Sequence, residues 1–236
     1  MPPKSTPTPS SAARFRRGLL AWFRRHGRDL AWRRTRDPYR VLVSEVMLQQ
    51  TQVARVTEYY PRFLAAFPTV AHLAAARPGQ VREAWDGLGY YRRAANLHRL
   101  AREVMRDLGG KLPADPDRLR QLPGVGRYTA GAVASFAFGR AVPAVDTNVS
   151  RVIRRAFLPR LRHDARAEQR VWETAAALLP RRARDAWAFN QAVMELGALV
   201  CTARVARCEV CPVALACLTG QKRQQSTVNG QRDLPS

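Results

Sequence analysis

Three carboxylates lie within apolar stretches of a chain that is otherwise strongly basic. They are Glu45, Asp146 and Glu195, and their neighbours include Val, Leu, Met and Ala. A carboxyl group in apolar surroundings has a raised pKa and can act as a general acid at neutral pH. A second, ionised carboxylate can stabilise an oxocarbenium-like sugar cation, as in enzymes that cleave glycosidic bonds. The residue types therefore allow acid-assisted cleavage of a bond to a sugar.

Each of these acids also has a structural interpretation. Asp146 can be the N-cap of a helix that starts near Thr147, and Glu45 and Glu195 can form ion pairs with nearby arginines. The residues alone leave the catalytic and the structural interpretation open.

A second cluster of reactive side chains is formed by cysteines. All four cysteines of the chain fall within 17 residues, in the pattern Cys201-x6-Cys208-x2-Cys211-x5-Cys217. A secreted disulfide framework would spread its cysteines along the chain, so the clustering indicates a metal site in a reducing compartment. Four thiolates can hold a zinc ion or an iron–sulfur cluster, and the spacing alone does not decide between the two.

The stretch 119–132 predicts two helices joined by a tight link. One helix should end near Gln121 and the next should start near Gly126, with Pro-Gly-Val-Gly between them. Glycines allow the backbone to approach a ligand closely, and a helix N-terminus offers free amide groups and a positive dipole end. The link is either a phosphate-binding hairpin or an ordinary helix–helix turn.

Composition and charge restrict the class of partner. The 236 residues include 40 Lys and Arg against 18 Asp and Glu, a formal net charge of +22, which favours a polyanion such as nucleic acid over a membrane. A hydrophobic share of 46% excludes a wholly disordered chain. The longest charge-free apolar stretch, 128–139, is too short to span a bilayer, and no apolar run typical of a signal peptide precedes Arg14.

Helical periodicity dominates the elements that must position these residues. Apolar side chains recur at spacings of three and four within 97–108 and within 171–179, whereas no sustained period-two alternation occurs. We therefore expect an all-α protein of about ten helices. The polar segments 1–13 and 218–236 are expected to be disordered tails.

Several segments resemble a known family. The stretch 122–132 resembles the helix–hairpin–helix of the base-excision DNA glycosylases related to endonuclease III, and 145–152 resembles the segment that carries their catalytic aspartate. The resemblance covers 14–217 and implies a two-lobed helix–hairpin–helix DNA glycosylase fold with a C-terminal iron–sulfur cluster loop. It implies one lobe over 35–138, a second lobe formed by 14–34 and 139–217, and DNA binding between the lobes.

The cysteine spacing also resembles the loop that binds the 4Fe–4S cluster in these enzymes. The resemblance therefore implies a 4Fe–4S cofactor with Cys201, Cys208, Cys211 and Cys217 as its ligands.

Three further segments, 44–53, 87–94 and 189–194, resemble the MutY-type adenine DNA glycosylases specifically. This resemblance implies a monofunctional glycosylase of base excision repair that hydrolyses the N-glycosidic bond of a flipped adenine mispaired with 8-oxoguanine or guanine. It implies that Glu45 protonates the adenine ring, that Asp146 stabilises the sugar cation and that Asn148 holds this aspartate or a water molecule. Tyr128 occupies the hairpin position where bifunctional relatives have lysine.

The resemblance also implies a set of DNA-binding residues. Trp32 and Arg33 would line the base pocket, Gln191 would read the adenine edge, and Gln50 and Tyr90 would form the wedge that enters the duplex. The neighbouring pair Gln49 and Gln50 favours adenine over thymine. The hairpin would contribute the contacts of Leu122, Gly124, Val125 and Gly126.

Three alternatives remain at this point: a mismatch thymine or uracil DNA glycosylase, an oxidised-pyrimidine glycosylase similar to endonuclease III, and a non-catalytic DNA-binding module. MutY-type enzymes carry a Nudix-like domain after the cluster, and because only 19 residues follow Cys217, we expect this domain to be absent. The expected partner is double-stranded DNA with a mispaired or damaged base. We expect an intracellular, nucleoid-associated monomer without membrane contact.

Overall fold

The computed structural model describes residues 7–162, 164–223 and 225, and its regular elements in these ranges are helices. The chain divides into two compact units, which we call the terminal unit (Met1–Arg28 with Ala141–Ser236) and the central unit (Asp29–Arg140). The only bridge of β type in the described residues is an isolated one between Cys201 and Ala206. The expected all-α class is therefore confirmed.

Seven α-helices of the described chain belong to the central unit. They are α2 (Pro38–Leu48), α3 (Val53–Ala66), α4 (Val70–Ala75), α5 (Pro78–Ala84), α6 (Arg92–Asp107), α7 (Pro116–Leu119) and α8 (Arg127–Phe136).

Four α-helices that lie entirely within the described residues belong to the terminal unit. They are α1 (Pro9–His26), α9 (Thr147–Phe157), α10 (Ala165–Leu178) and α11 (Ala183–Leu199).

Helix α2 is the buried centre of the central unit. Asp37 caps its N-terminus by accepting a hydrogen bond from the Arg40 amide at 2.8 Å, and Pro38 occupies the first helical position. Every residue from Tyr39 to Met47 except Arg40 is buried, and α3, α6 and α8 pack around the helix. Because the residues of α2 are buried nearly all around the helix, its single acidic residue lies inside the core.

Helix α6 confirms the periodicity over 97–108. Leu97, Leu100, Ala101 and Val104 are buried on one face, against α4 and α5. The opposite face of α6 carries exposed arginines. The apolar face of α6 therefore points into the core, as the sequence predicts.

The link between α7 and α8 has the expected hairpin form. Gly126 is the N-cap of α8, and Gly124 has a left-handed backbone with φ of +77°. A Cβ atom at position 124 would lie 2.8 Å from the Cβ atom of Asn96, so the turn requires glycine for conformation and for space.

The terminal unit has its own apolar core. Phe15 of α1 is fully buried and makes edge-to-face contacts with Phe157 and Phe189, at centroid distances of 5.1 and 6.5 Å. The periodicity over 171–179 is confirmed, since Val171, Trp172, Ala175 and Leu178 of α10 all belong to this core. Two 3-10 helices, Cys208–Val210 and Ala214–Ala216, follow α11.

The segments expected to be disordered tails are partly helical. Helix α1 begins at Pro9, where Thr8 accepts a hydrogen bond from the Ser11 amide, so residues 9–13 are helical and not a loose tail. Residues 218–223 are helical as well. Residues 1–6 and 226–236 lie outside the described residues.

The boundaries between the two units differ from those of the expected lobes. The units meet between residues 28 and 29 and between residues 140 and 141, whereas the expected lobes meet between residues 34 and 35 and between residues 138 and 139.

We predict that Gly124→Ala destabilises the central unit. A left-handed backbone costs an alanine about 1–2 kcal/mol, and the contact with Asn96 adds to this cost. The free energy of unfolding should therefore fall by about 2 kcal/mol, measured by urea denaturation followed by circular dichroism.

Gly79→Ala in α5 is the matched control, because no atom lies within 4 Å of its added Cβ. This exchange should leave the free energy of unfolding unchanged or raise it by up to about 1 kcal/mol. Equal effects of the two variants would contradict the assigned hairpin geometry.

Candidate functional site

Glu45 is a buried acid with a specific partner. Glu45 is 3% exposed and lies on helix α2, whose residues are mostly buried. The hydroxyl group of Tyr128, in the first turn of α8, donates a hydrogen bond to Glu45 Oε2 at 2.6 Å. A buried carboxyl group needs such a partner, because an unpaired polar group in the core is costly. The packing of α8 against α2 thus brings together two of the expected catalytic residues.

The end of α2 makes a second polar contact with α8. Gln49, the C-cap of α2, donates from Nε2 to the Thr129 hydroxyl group at 3.3 Å. Thr129 is 2% exposed and was not recognised from the sequence. Glu45, Gln49, Tyr128 and Thr129 therefore form one polar cluster, which we call the α2–α8 cluster.

Trp32 is a core residue of the central unit. It lies in the 3-10 helix Ala31–Arg33, is 7% exposed, and packs edge-to-face against Tyr60 at a centroid distance of 5.6 Å. Arg33 is half-buried beside it. Core packing therefore accounts for Trp32, while its expected place in a base pocket stays a prediction.

The two expected wedge residues share an uncommon backbone. Gln50 and Tyr90 have φ angles of 57° and 47°, and both are exposed. Tyr90 is 61% exposed, which is high for an aromatic side chain. An exposed aromatic ring on a well-defined turn is available for stacking against a partner.

The expected hairpin residues separate into two kinds. Leu122 and Val125 are buried, and the Val125 amide donates to the Leu122 carbonyl at 3.1 Å, so their side chains anchor the turn. Gly124 and Gly126 are exposed. Gly126 brings no side-chain cap to α8, and the expected phosphate contact at this helix start stays a prediction.

Asp146 is the N-cap of α9, as one of the two interpretations of the sequence proposed. Its Oδ1 accepts from the Val149 amide at 2.7 Å, and its Oδ2 accepts from Asn148 Nδ2 at 2.9 Å. Burial raises the pKa of Asp146, while these two hydrogen bonds and the nearby Arg151 act in the opposite direction. Asn148 therefore holds this aspartate, as expected.

Two residues that support Asp146 were not recognised from the sequence. Arg151 donates from Nη2 to Asn148 Oδ1 at 2.7 Å and from Nε to the Cys201 carbonyl at 2.9 Å. Asn190 donates to the Val142 carbonyl at 2.9 Å and accepts from the Ala144 amide, so it fixes the segment that leads into α9. A basic residue one turn after Asp146 was the available signal for Arg151.

Glu195 is accounted for by an ion pair. Its carboxylate, on α11, is 1% exposed and accepts from Arg28 Nε at 2.8 Å, from Nη2 at 2.9 Å and from the Arg28 backbone amide at 2.9 Å. Gln191, one turn earlier on the same helix, is buried at 5% exposure. The structural interpretation of Glu195 is therefore confirmed.

The four cysteines line one cavity in the loop after α11. Arg155 lines the same cavity, with Nη1 3.4 Å from Cys201 Sγ, and the Gly220 amide donates to Cys217 Sγ at 3.3 Å. In the described part of the chain, no three His, Cys, Asp or Glu side chains are placed to hold a single metal ion. A donor set of four thiols around one cavity fits a cluster, whose ligands are shared among several irons.

The expected catalytic and ligand residues thus form separate groups within each unit. The central unit holds the α2–α8 cluster, the hairpin and the two exposed turns. The terminal unit holds Asp146 and Asn148, which Arg151 connects to the cysteine loop.

None of the helices described is long and apolar enough to cross a membrane.

Known proteins of DNA repair resemble this chain in sequence over most of its length. A family model described as HhH-GPD superfamily base excision DNA repair protein matches residues 43–177. The human adenine DNA glycosylase is 46% identical over 222 residues, which cover 89% of this chain and 40% of the human protein. The adenine DNA glycosylase of Mycobacterium tuberculosis is 48% identical over 196 residues, which cover 83% of this chain and 64% of that protein. The chain thus spans less than two thirds of these relatives.

A solved structure gives the same picture for the fold. The structure of a thermostable thymine-DNA glycosylase superposes with a TM-score of 0.82 at 31% identity, covering 90% of this chain and 98% of the other. The expected helix–hairpin–helix glycosylase fold is therefore confirmed over 90% of this chain.

We predict a pH-dependent stability difference between the protein and Asp146→Ser, which keeps an N-cap oxygen and removes the ionisable group. Burial raises the pKa of Asp146 above its ordinary value of 3.8. The contribution of this group to the free energy of unfolding is therefore fully present below pH 3.8 and is lost as the pH rises through the folded-state pKa. The free energy of unfolding of the variant minus that of the wild type should therefore increase with pH, by up to about 1.4 kcal/mol per pH unit. Urea denaturation at several pH values measures this difference.

Asp164→Ser is the matched control, because Asp164 is an exposed N-cap of α10 in the same unit. The gain with pH should be larger for the exchange at position 146. Parallel pH profiles for Asp146→Ser and the wild type would contradict the assigned burial of this carboxyl group.

Proposed function

Because the chain belongs to the HhH-GPD superfamily of base excision DNA repair proteins, we propose that it is a monofunctional DNA glycosylase. It hydrolyses the N-glycosidic bond of an adenine that is mispaired with 8-oxoguanine or guanine and flipped out of the duplex. The observation that carries this proposal is the buried carboxyl group of Glu45, held by the Tyr128 hydroxyl group at 2.6 Å.

Glu45 is the general acid in this reaction. A protonated adenine ring is a much better leaving group, because the electron pair of the broken C1′–N9 bond then stays on a neutral base. Burial at 3% exposure favours a carboxyl group that carries the proton to be donated. Tyr128 fixes the orientation of this carboxyl group through its hydrogen bond.

Asp146 acts on the sugar that remains. Its ionised carboxylate stabilises the positive charge that develops at C1′, and a water molecule then adds to this carbon and leaves an abasic site. One carboxylate oxygen accepts a hydrogen bond from Asn148 and the other accepts one from the Val149 amide. These two hydrogen bonds fix the orientation of the carboxylate.

Adenine is the proposed base for two reasons. The carboxamide groups of Gln49 and Gln191 can both donate and accept, as the N6 and N7 atoms of adenine require. The human and mycobacterial relatives are adenine DNA glycosylases, at 46% and 48% identity. The second candidate is thymine in a mismatch, which the similarity to a thymine-DNA glycosylase structure favours.

We further propose that Cys201, Cys208, Cys211 and Cys217 hold a 4Fe–4S cluster. When bound, the cluster cross-links the loop after α11 and adds its ligation free energy to the stability of the fold. Arg204 and Arg207 are exposed between the first two ligands, where they can contact DNA phosphate. Such thiolate ligation favours a reducing, intracellular setting.

The proposed DNA partner is double-stranded, and the enzyme acts as a monomer. Extruding a base costs a few kcal/mol, less for a mispaired base, and phosphate contacts of a chain with a net charge of +22 can offset this cost. Binding should therefore depend strongly on salt concentration.

The first test of the function is base release from a panel of duplexes. We expect release of adenine opposite 8-oxoguanine and opposite guanine, and none of thymine opposite guanine or of oxidised pyrimidines. Glu45→Gln should lower the single-turnover rate by about 10²–10⁴-fold, because the amide cannot supply the proton. Its duplex affinity should persist, since phosphate contacts dominate binding.

Glu58→Gln is the control for the loss of one carboxylate. Glu58 is exposed on α3 and pairs with Arg62 at 3.1 Å, so its exchange should leave the rate unchanged. Release of thymine instead of adenine would overturn the proposed base. A Glu45→Gln rate equal to that of the wild type would overturn the assigned acid.

We predict that borohydride does not trap the wild-type protein on DNA. A lyase step needs an amine that forms a Schiff base with the sugar, and the three lysines, at positions 4, 111 and 222, lie outside the hairpin. Tyr128→Lys places an amine in the hairpin and should gain a trapped adduct, visible by denaturing gel electrophoresis. Wild-type trapping in good yield would contradict monofunctional action.

A further inference from the structure

Two turns of the central unit hold the only residues other than glycine with a left-handed backbone in the described part of the chain. These residues are Gln50, which follows α2, and Tyr90, which precedes α6. Such a conformation costs about 1–2 kcal/mol for a residue with a Cβ atom. It persists only where the surrounding structure holds it, and such positions cluster at functional sites.

The guanidinium group of Arg93 holds the first of these turns. Arg93 Nη1 donates to the Val46 carbonyl at 3.1 Å, to the Met47 carbonyl at 2.7 Å and to the Gln49 carbonyl. These acceptors belong to the last turn of α2 and its C-cap, where carbonyl groups lack intrahelical partners and the helix dipole is negative. Arg93 thus caps the helix that carries Glu45 from a distant part of the chain.

The same guanidinium group holds the second turn. Arg93 Nη2 donates to the carbonyl groups of Leu88 and Gly89, each at 3.1 Å, and to the Thr51 hydroxyl group at 2.9 Å. The Gly89 carbonyl also accepts from Trp85 Nε1 at 3.1 Å. One planar group therefore connects the residues on both sides of Gln50 with the two residues before Tyr90.

The surroundings of Arg93 show that this connection is its main role. The residue is 8% exposed, and no carboxylate among the described residues pairs with it. Its charge is balanced by backbone carbonyl dipoles and by the rings of Trp85 and Tyr90, whose centroids lie 5.4 and 5.5 Å from its Cζ atom. A buried arginine without an acid is costly unless its donors are well placed.

We propose that Arg93 is a positioning residue that holds the turns of Gln50 and Tyr90 in the conformation that enters the duplex while the target base is extruded. It acts through these two side chains and does not touch the reacting atoms. The inference rests on the proposed glycosylase function and on the wedge role that the resemblance to MutY-type enzymes implies for Gln50 and Tyr90.

The test separates the planar fork of Arg93 from its charge. Arg93→Lys keeps the charge but cannot donate from two nitrogens at fixed spacing to both turns. Arg102→Lys, the same exchange at an exposed position of α6, is the control. Base extrusion is followed by the fluorescence of 2-aminopurine placed at the target position opposite 8-oxoguanine, at saturating protein. Adenine release is followed in single-turnover assays across pH, and folding by thermal denaturation.

We expect Arg93→Lys to reduce the 2-aminopurine fluorescence increase at least about twofold and the release rate at least about tenfold, since a displacement of ~1 Å can cost ~10²-fold in rate. The midpoint of the pH–rate profile should not move, because the acid is unchanged. Arg102→Lys should match the wild type in every measurement.

Two results would overturn the inference. One is wild-type fluorescence and rate in a folded Arg93→Lys protein. The other is a rate that falls only with the folded fraction while the fluorescence change per folded molecule stays at the wild-type value, which is the signature of a purely structural role.

If Arg93→Lys does not fold at the assay temperature, the positioning role of Arg93 is tested with Thr51→Val instead. This exchange keeps the shape of the side chain and removes one acceptor of Arg93 Nη2. We expect a fluorescence increase and a rate below those of the wild type, and unchanged values would overturn the inference.

The fluorescence signal also separates this inference from the proposed function, because it reports extrusion without chemistry. A wild-type protein that extrudes 2-aminopurine but releases no adenine would refute the proposed function alone. A wild-type protein that releases adenine without any 2-aminopurine response would refute the positioning role alone.

Discussion

A carboxyl group inside an apolar helix is the constraint on which the central unit depends. Helix α2 is buried almost throughout, so Glu45 must find its hydrogen-bond partner within the core. Tyr128 supplies that partner only if the first turn of α8 lies against α2, and α8 can start there only because the chain reverses at Gly124. The hairpin therefore delivers the hydroxyl group that holds the acid.

In the terminal unit, the start of a helix holds the other candidate carboxylate, Asp146. Asp146 is both the cap of α9 and the proposed stabiliser of the sugar cation, so its orientation follows from the helix it begins. Asn148 donates to Asp146 and accepts from Arg151, and Arg151 in turn donates to the Cys201 carbonyl. The geometry of the proposed catalytic carboxylate and that of the cysteine loop are therefore held by one polar network.

Predictions from the sequence were accurate where the signal is local. The apolar stripes of α6 and α10, the hairpin and the capping role of Asp146 were each recognised within about ten residues of chain. Trp32 shows the limit of such signals. Its residue type is compatible with core packing and with a base pocket, and only the structure shows its contact with Tyr60, which no spacing indicates. Local pattern also placed the start of α1 too late, because Thr8 and Pro9 resemble a loose tail but cap a helix.

The sequence by itself determined the helical class, the position of the hairpin, the cysteine cluster and the identity of the candidate acids, since each depends on residue type and short spacing. Only the tertiary structure decided their partners, because Glu45 and Tyr128 are 83 residues apart and Arg28 and Glu195 are 167 apart. Arg93 interrupts the apolar face of α6, which signals a buried cation but not its acceptors. Those acceptors are backbone carbonyl groups, which every residue type has, so only the folded chain can show which of them converge.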